Sequence, residues 1–83
     1  MSRSDTSLFG TEIKAVLAVR GPLRTKDIYK AIKAKFPEHC DDLELDKGNG
    51  EIAWKHRVRA AQEGLKKKNE IVLSNESKYW SVI

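Results

Sequence analysis

The sequence predicts an α+β domain of three helices closed by a C-terminal β-hairpin. Apolar residues recur at helical spacing in three separate stretches, each followed by residues that end helices or make turns. The last part of the chain instead holds two short β-branched and aromatic runs around a turn-forming centre. With 83 residues, of which 40% are hydrophobic and 34% charged, the chain can bury one small core and no second.

Residues 1–6 read as a loose, flexible polar start. Ser7 is a fitting N-cap, and Leu8, Phe9, Ile13, Val16 and Leu17 share one helical face up to Gly21-Pro22, which gives a first helix over about residues 8–20. Leu23-Arg24 form an extended bridge, and Thr25 stands where its hydroxyl would cap a second helix starting at Lys26. Ile28, Ala31, Ile32 and Phe36 form the apolar stripe of that helix, and Pro37 stops it. Residues 38–51 are acidic, end in Gly48-Asn49-Gly50 and read as a loop, with room for a helical turn around Asp41–Leu45. Trp54, Val58, Ala61 and Leu65 then fall within one narrow arc of a third helix, about residues 52–68. Asn69 is suited to leave that helix in left-handed conformation. Ile71-Val72-Leu73 and Tyr79-Trp80-Ser81-Val82 make the hairpin across residues 74–78.

The charge is unevenly spread. Residues 38–51 hold six acids and one base, a balance of −5, so the rest of the +4 chain carries +9. Such segregation suits a protein that meets a polyanion on one side and keeps its acids on another. No apolar run approaches the roughly 18–20 residues of a bilayer span, and no signal-peptide stretch opens the sequence, so a cytoplasmic protein without membrane contact is expected. The single cysteine, Cys40, rules out an internal disulfide and a cysteine zinc cluster.

Three helices and a hairpin, in this order and with a basic third helix, are the elements of a winged helix-turn-helix domain. With the apolar arc inward, Lys55, His56, Arg59, Glu63, Lys66 and Lys67 face outward, and Arg57 and Gln62 flank the core stripe. Arg or Lys in the first half of a helix lying in a major groove reaches guanine O6 and N7, while neighbours hold phosphates. The candidate DNA contacts are therefore Thr25 and Lys26 at the second helix, Lys55, His56, Arg57, Arg59, Gln62 and Lys66 on the third, and Asn75 and Lys78 in the wing. Lys66 to Lys68 also complement the dipole at the end of their helix.

The run from Trp54 to Ile71, with its Trp54, Arg57-Val58-Arg59, Ala61, Leu65-Lys66 and Ile71, resembles winged-helix domains of prokaryotic restriction proteins. It is similar to the Mrr-type N-terminal domain and to winged helices attached to HNH or PD-(D/E)XK nucleases. The likeness extends more loosely to Thr25-Lys26-Asp27-Ile28-Tyr29 and to Lys78-Tyr79-Trp80-Ser81-Val82, and so covers about residues 8–83. Asn69 stands where those domains usually carry Gly, and Ser77-Lys78 where they often do. The resemblance implies a module that binds double-stranded DNA and directs a linked or associated nuclease, in some relatives by reading a modified base.

No nuclease motif is present, no Ser/His/Asp set or paired carboxylates can be assembled, and no cofactor is expected. His39-Cys40 lack metal-ligand spacing, and Asp42, Glu44 and Asp46 fail as a calcium loop because Lys47 and Ala53 replace the required Gly and Glu. Gly48-Asn49-Gly50 is not followed by the Lys-Ser pair of a phosphate-binding loop. The alternative to DNA binding is a protein interaction module that offers the acidic loop 38–51 to a basic partner. Helix 3 favours DNA over that reading, with six bases and one acid from Lys55 to Lys68.

Overall fold

The computed structural model describes residues 2–46, 48 and 50–83, with side chains from Ser7 onward. Helix α1 spans Ser2–Arg20, α2 Thr25–Lys35 and α3 Ala53–Lys67, followed by strands β1 (Ile71–Leu73) and β2 (Trp80–Val82). This is the expected α+β order of three helices and an antiparallel hairpin, a winged-helix layout. No helix of the described residues is long and apolar enough to cross a membrane.

The core is built from the faces that periodicity marks. Phe9, Ile13 and Leu17 of α1, Ile28 and Ile32 of α2, and Trp54, Val58 and Ala61 of α3 are buried together with Ile71 and Trp80 of the hairpin. Leu65 and Phe36 pack half-buried against this cluster. Gly21 ends α1 at φ +85, a left-handed conformation that costs glycine nothing, and its N–H still reaches the Leu17 carbonyl at 2.9 Å.

The hairpin pairs Ile71 with Val82, Val72 with Ser81 and Leu73 with Trp80. Directly paired residues share a face, so Ile71, Leu73 and Trp80 turn to the core and Val72 turns outward. The Leu23-Arg24 bridge adds a pairing on the other edge of β2: Leu23 and Trp80 exchange both backbone hydrogen bonds, at 2.9 and 2.7 Å. Asn69 and Lys78 take φ of +61 and +62. Both lie in the left-handed region that favours glycine.

Three expectations need correction. The first helix starts at Ser2, not near residue 8. No Gly or Pro precedes Gly10, so nothing in the sequence interrupts the backbone there; the side chains of the expected flexible start 1–6 lie outside the described residues. Thr25 is the first residue of α2 and not its cap; the N-cap is Arg24, whose extended backbone carbonyl receives the Asp27 and Ile28 N–H groups at 3.0 Å. Thr25 Oγ1 instead accepts the indole N–H of Trp80 at 3.0 Å, because a buried indole requires an acceptor. The short helical turn lies at Pro37–His39, ahead of Asp41–Leu45, where the chain makes one turn closed by Glu44 N–H to the Asp41 carbonyl at 3.3 Å.

Trp54 is the largest fully buried side chain. Trp54→Ala is expected to cost about 3–5 kcal/mol, most of the stability of so small a domain. Thermal unfolding followed by circular dichroism checks it; a melting point within a few degrees of the parent would put the α3 register in error.

Candidate nucleic-acid interface

The acidic segment does not stay apart from the basic helix. Leu45 and Ile52 form an antiparallel bridge, Asp46 N–H donates to the Glu51 carbonyl at 2.6 Å, and Ala53 N–H donates to the Glu44 carbonyl at 2.9 Å. These bonds fold the loop back onto the start of α3. Trp54 Nε1 donates to Asp42 Oδ1 at 2.8 Å, and Lys33 Nζ bonds the other oxygen of the same carboxylate, which ties loop, α2 and α3 together.

The consequence falls on the residues expected to read DNA. Arg59 donates to Glu51 Oε2, and His56 Nδ1 lies 3.6 Å from the same oxygen. Arg57, with its side chain only 19% exposed, stands 3.6 Å from Glu44 Oε2. Helix periodicity could offer only Glu63 as a neutralising neighbour; the acids that do the neutralising come from the loop and were hidden by the assumption that charge segregated along the chain is segregated in space.

Gln62 is the clearest misplacement. It is 1% exposed, next to Ala61 and Val58 on the buried side of α3, and its Nε2 has no hydrogen-bond partner. It therefore cannot join a surface contact. At the boundary of the apolar arc a side chain turns inward or outward by packing, and a polar residue type gave the wrong answer.

The remaining candidates divide by place. Lys26 and Lys55 meet at a cleft of about 300 Å³ between α2 and α3, where Tyr29 and Trp54 form the aromatic wall and Lys30 and Lys33 add two further cations. Lys55 Nζ sits 5.4 Å from the Tyr29 ring centre and 5.8 Å from that of Trp54, so its ammonium is held by cation–π attraction. Among the described residues Lys26 and Lys30 form no ion pair within 4 Å, whereas Asp42 bonds Lys33 and also feels the charge of Lys55 across the cleft. Burial pushes the Tyr29 hydroxyl above its ordinary pKa, with the Arg59 charge opposing and Glu51 adding to the rise, so the phenol stays a hydrogen-bond donor at neutral pH. Lys66 is exposed in the last turn of α3, roughly 16 Å along the helix from Lys55. Asn75 and Lys78 are exposed at the wing tip, which is closed by Ser74 N–H to the Tyr79 carbonyl at 2.9 Å and Lys78 N–H to the Ser74 carbonyl at 2.8 Å.

Sequence reasoning missed Tyr29, Lys30 and Arg24. Arg24 is exposed at the start of α2 and stacks 5.1 Å over the Tyr79 ring, joining α2 to the wing strand. Lys26 and Lys30 are one helical turn apart, a spacing that would have placed them on one face.

No protein-family model matches the chain, and no curated protein or solved structure matches it.

Two outcomes follow. Leaving the Gln62 amide donor unpaired costs about 1–3 kcal/mol, so Gln62→Met, of similar volume, is expected to raise stability by about 1 kcal/mol, or roughly 5 °C in Tm. A fall in Tm would show that the amide is satisfied. The second outcome concerns acid. The Lys33 bond, then the Trp54 N–H, holds the Asp42 carboxyl below its ordinary 3.8, and the Lys14 bond holds Glu70 below its ordinary 4.5. A carboxyl with a depressed folded-state pKa stabilises above its unfolded value and loses that contribution as pH falls toward the folded one. Tm should therefore hold steady above about pH 5 and drop below about pH 4.5, with a shallower drop in Asp42→Asn.

Proposed function

We propose that this chain is a double-stranded DNA-binding module of winged-helix design, serving as the target-recognition part of a restriction-type nuclease system in the cytoplasm. The observation that carries the reading is the band of cations at the α2–α3 cleft. Arg24, Lys26 and Lys30 are exposed along α2, and Lys55 is held over two aromatic rings at the start of α3. Lysines without carboxylate partners are the groups that release counterions when they meet phosphates. The face lies where the two helices of a helix-turn-helix straddle a backbone and a groove, with the exposed wing tip at Asn75 and Lys78 as a second backbone contact. In this reading Lys26, Lys30 and Lys55 hold phosphates, and Arg59 is the residue aimed at base edges. The link to a nuclease rests on the resemblance of residues 54–71 to restriction-type winged helices.

A second reading, docking of a basic partner on the acidic loop, is favoured by one observation. Leu43 and Leu45 are 91% and 59% exposed within that loop, an apolar pair framed by carboxylates. A basic amphipathic peptide that shifts the amides of Leu43–Asp46, with no duplex binding at low salt, would favour it.

Fluorescence anisotropy with a labelled duplex tests the DNA reading. Affinity should fall linearly in log–log terms as salt rises, and Lys30→Ala and Lys55→Ala should each weaken all duplexes alike and make the slope shallower by about one. Absence of binding at low salt, or a flat salt response, would refute it.

A further inference from the structure

We infer that Glu51, aided by Glu44, sets the selectivity of this module by withholding the α3 cations from indiscriminate phosphate contact. The inference rests on the DNA-binding reading and goes beyond it. Glu51 Oε2 takes the Arg59 guanidinium and has His56 Nδ1 at 3.6 Å, while Glu44 faces Arg57 at 3.6 Å. Three of the four cationic or titratable side chains in the first half of α3 thus stand within 3.6 Å of Glu44 or Glu51, while Lys55 lies over the aromatic wall. The acids are firmly placed. Backbone bonds from Asp46 to Glu51 and from Ala53 to Glu44, and the left-handed Gly50 at φ +72, hold Glu44, Asp46 and Glu51 directly ahead of the helix, where the positive end of its dipole adds to their attraction.

A cation already paired with a carboxylate releases no net counterion on meeting a phosphate, and the carboxylate repels the backbone it approaches. Arg59 therefore contributes little to binding that depends on phosphate alone. A guanine edge offers its guanidinium two acceptors in bidentate geometry, which a lone phosphate contact does not match at a site that already carries a negative charge. Glu51 thereby lowers affinity for every duplex and lowers it least where Arg59 finds its base. In this role Glu51 is a specificity-determining residue that acts through Arg59.

The test is a double-mutant cycle of Glu51→Gln and Arg59→Ala, read by anisotropy on a panel of short duplexes of varied sequence and by circular dichroism for folding. Glu51→Gln should bind all duplexes about tenfold more tightly at about 50 mM salt, steepen the salt slope by about one, and narrow the spread of affinities across the panel. Arg59→Ala should remove that gain in the Glu51→Gln background, yet change average affinity by less than about twofold in the parent. Glu44→Gln, which frees Arg57, should act in the same direction with a smaller gain and serves if Glu51→Gln unfolds. Parent and variants that bind with equal affinity and slope would overturn the inference and leave the DNA reading standing. A parent and variants that all fail to bind at low salt would overturn the DNA reading, and this inference with it.

Discussion

The structure turns on the indole of Trp54. Its ring fills the centre of the core, edge-on to Tyr29 with ring centres 5.7 Å apart, and its N–H must find an acceptor there. Asp42 supplies one, and because Asp42 also holds Lys33 of α2, a packing requirement becomes a fixed position for an acidic loop. Trp80 repeats the device at the other end of the domain, donating to Thr25 and pinning the wing to the start of α2. Two buried indoles, each with one acceptor on another segment, thus dock the acidic loop and the wing onto the helices.

From that constraint follows the electrostatics of the surface. With the loop docked, Glu44 and Glu51 reach the outward residues of α3, and Lys26, Lys30 and Lys55 are left as the cations lining the α2–α3 cleft beyond their reach. Net charge is indifferent to this arrangement, but phosphate binding is not, since it depends on which cations are available. The proposed DNA face therefore centres on the α2–α3 cleft, with the first half of α3 held in reserve by its carboxylates.

Much of the fold was legible in the sequence because the core faces repeat at helical spacing: Phe9-Ile13-Leu17, Ile28-Ile32 and Trp54-Val58-Ala61 all lie where periodicity places them. Asn69 was legible too, as a left-handed helix exit. What escaped depended on contacts between residues distant in the chain. The Thr25 hydroxyl satisfies a tryptophan 55 positions away, and Arg59 pairs with an acid eight positions back across a turn, which no local pattern records. Gln62 escaped for a different reason: its polarity points outward while its place beside Ala61 points inward, and packing decided. In the candidate site, residue types showed that cations were present, but only the folded loop shows which of them carry partners.

The central claim is that DNA meets the α2–α3 cleft while the acidic loop stays docked on α3. Amide chemical-shift mapping of the labelled protein with a duplex at low salt tests it most directly. The account predicts that the largest shifts fall on Lys26, Tyr29, Lys30 and Lys55, with the Leu43 and Glu44 amides little changed. Shifts confined to Leu43–Asp46, or to the opposite side around Gly10 and Gly64, would contradict it.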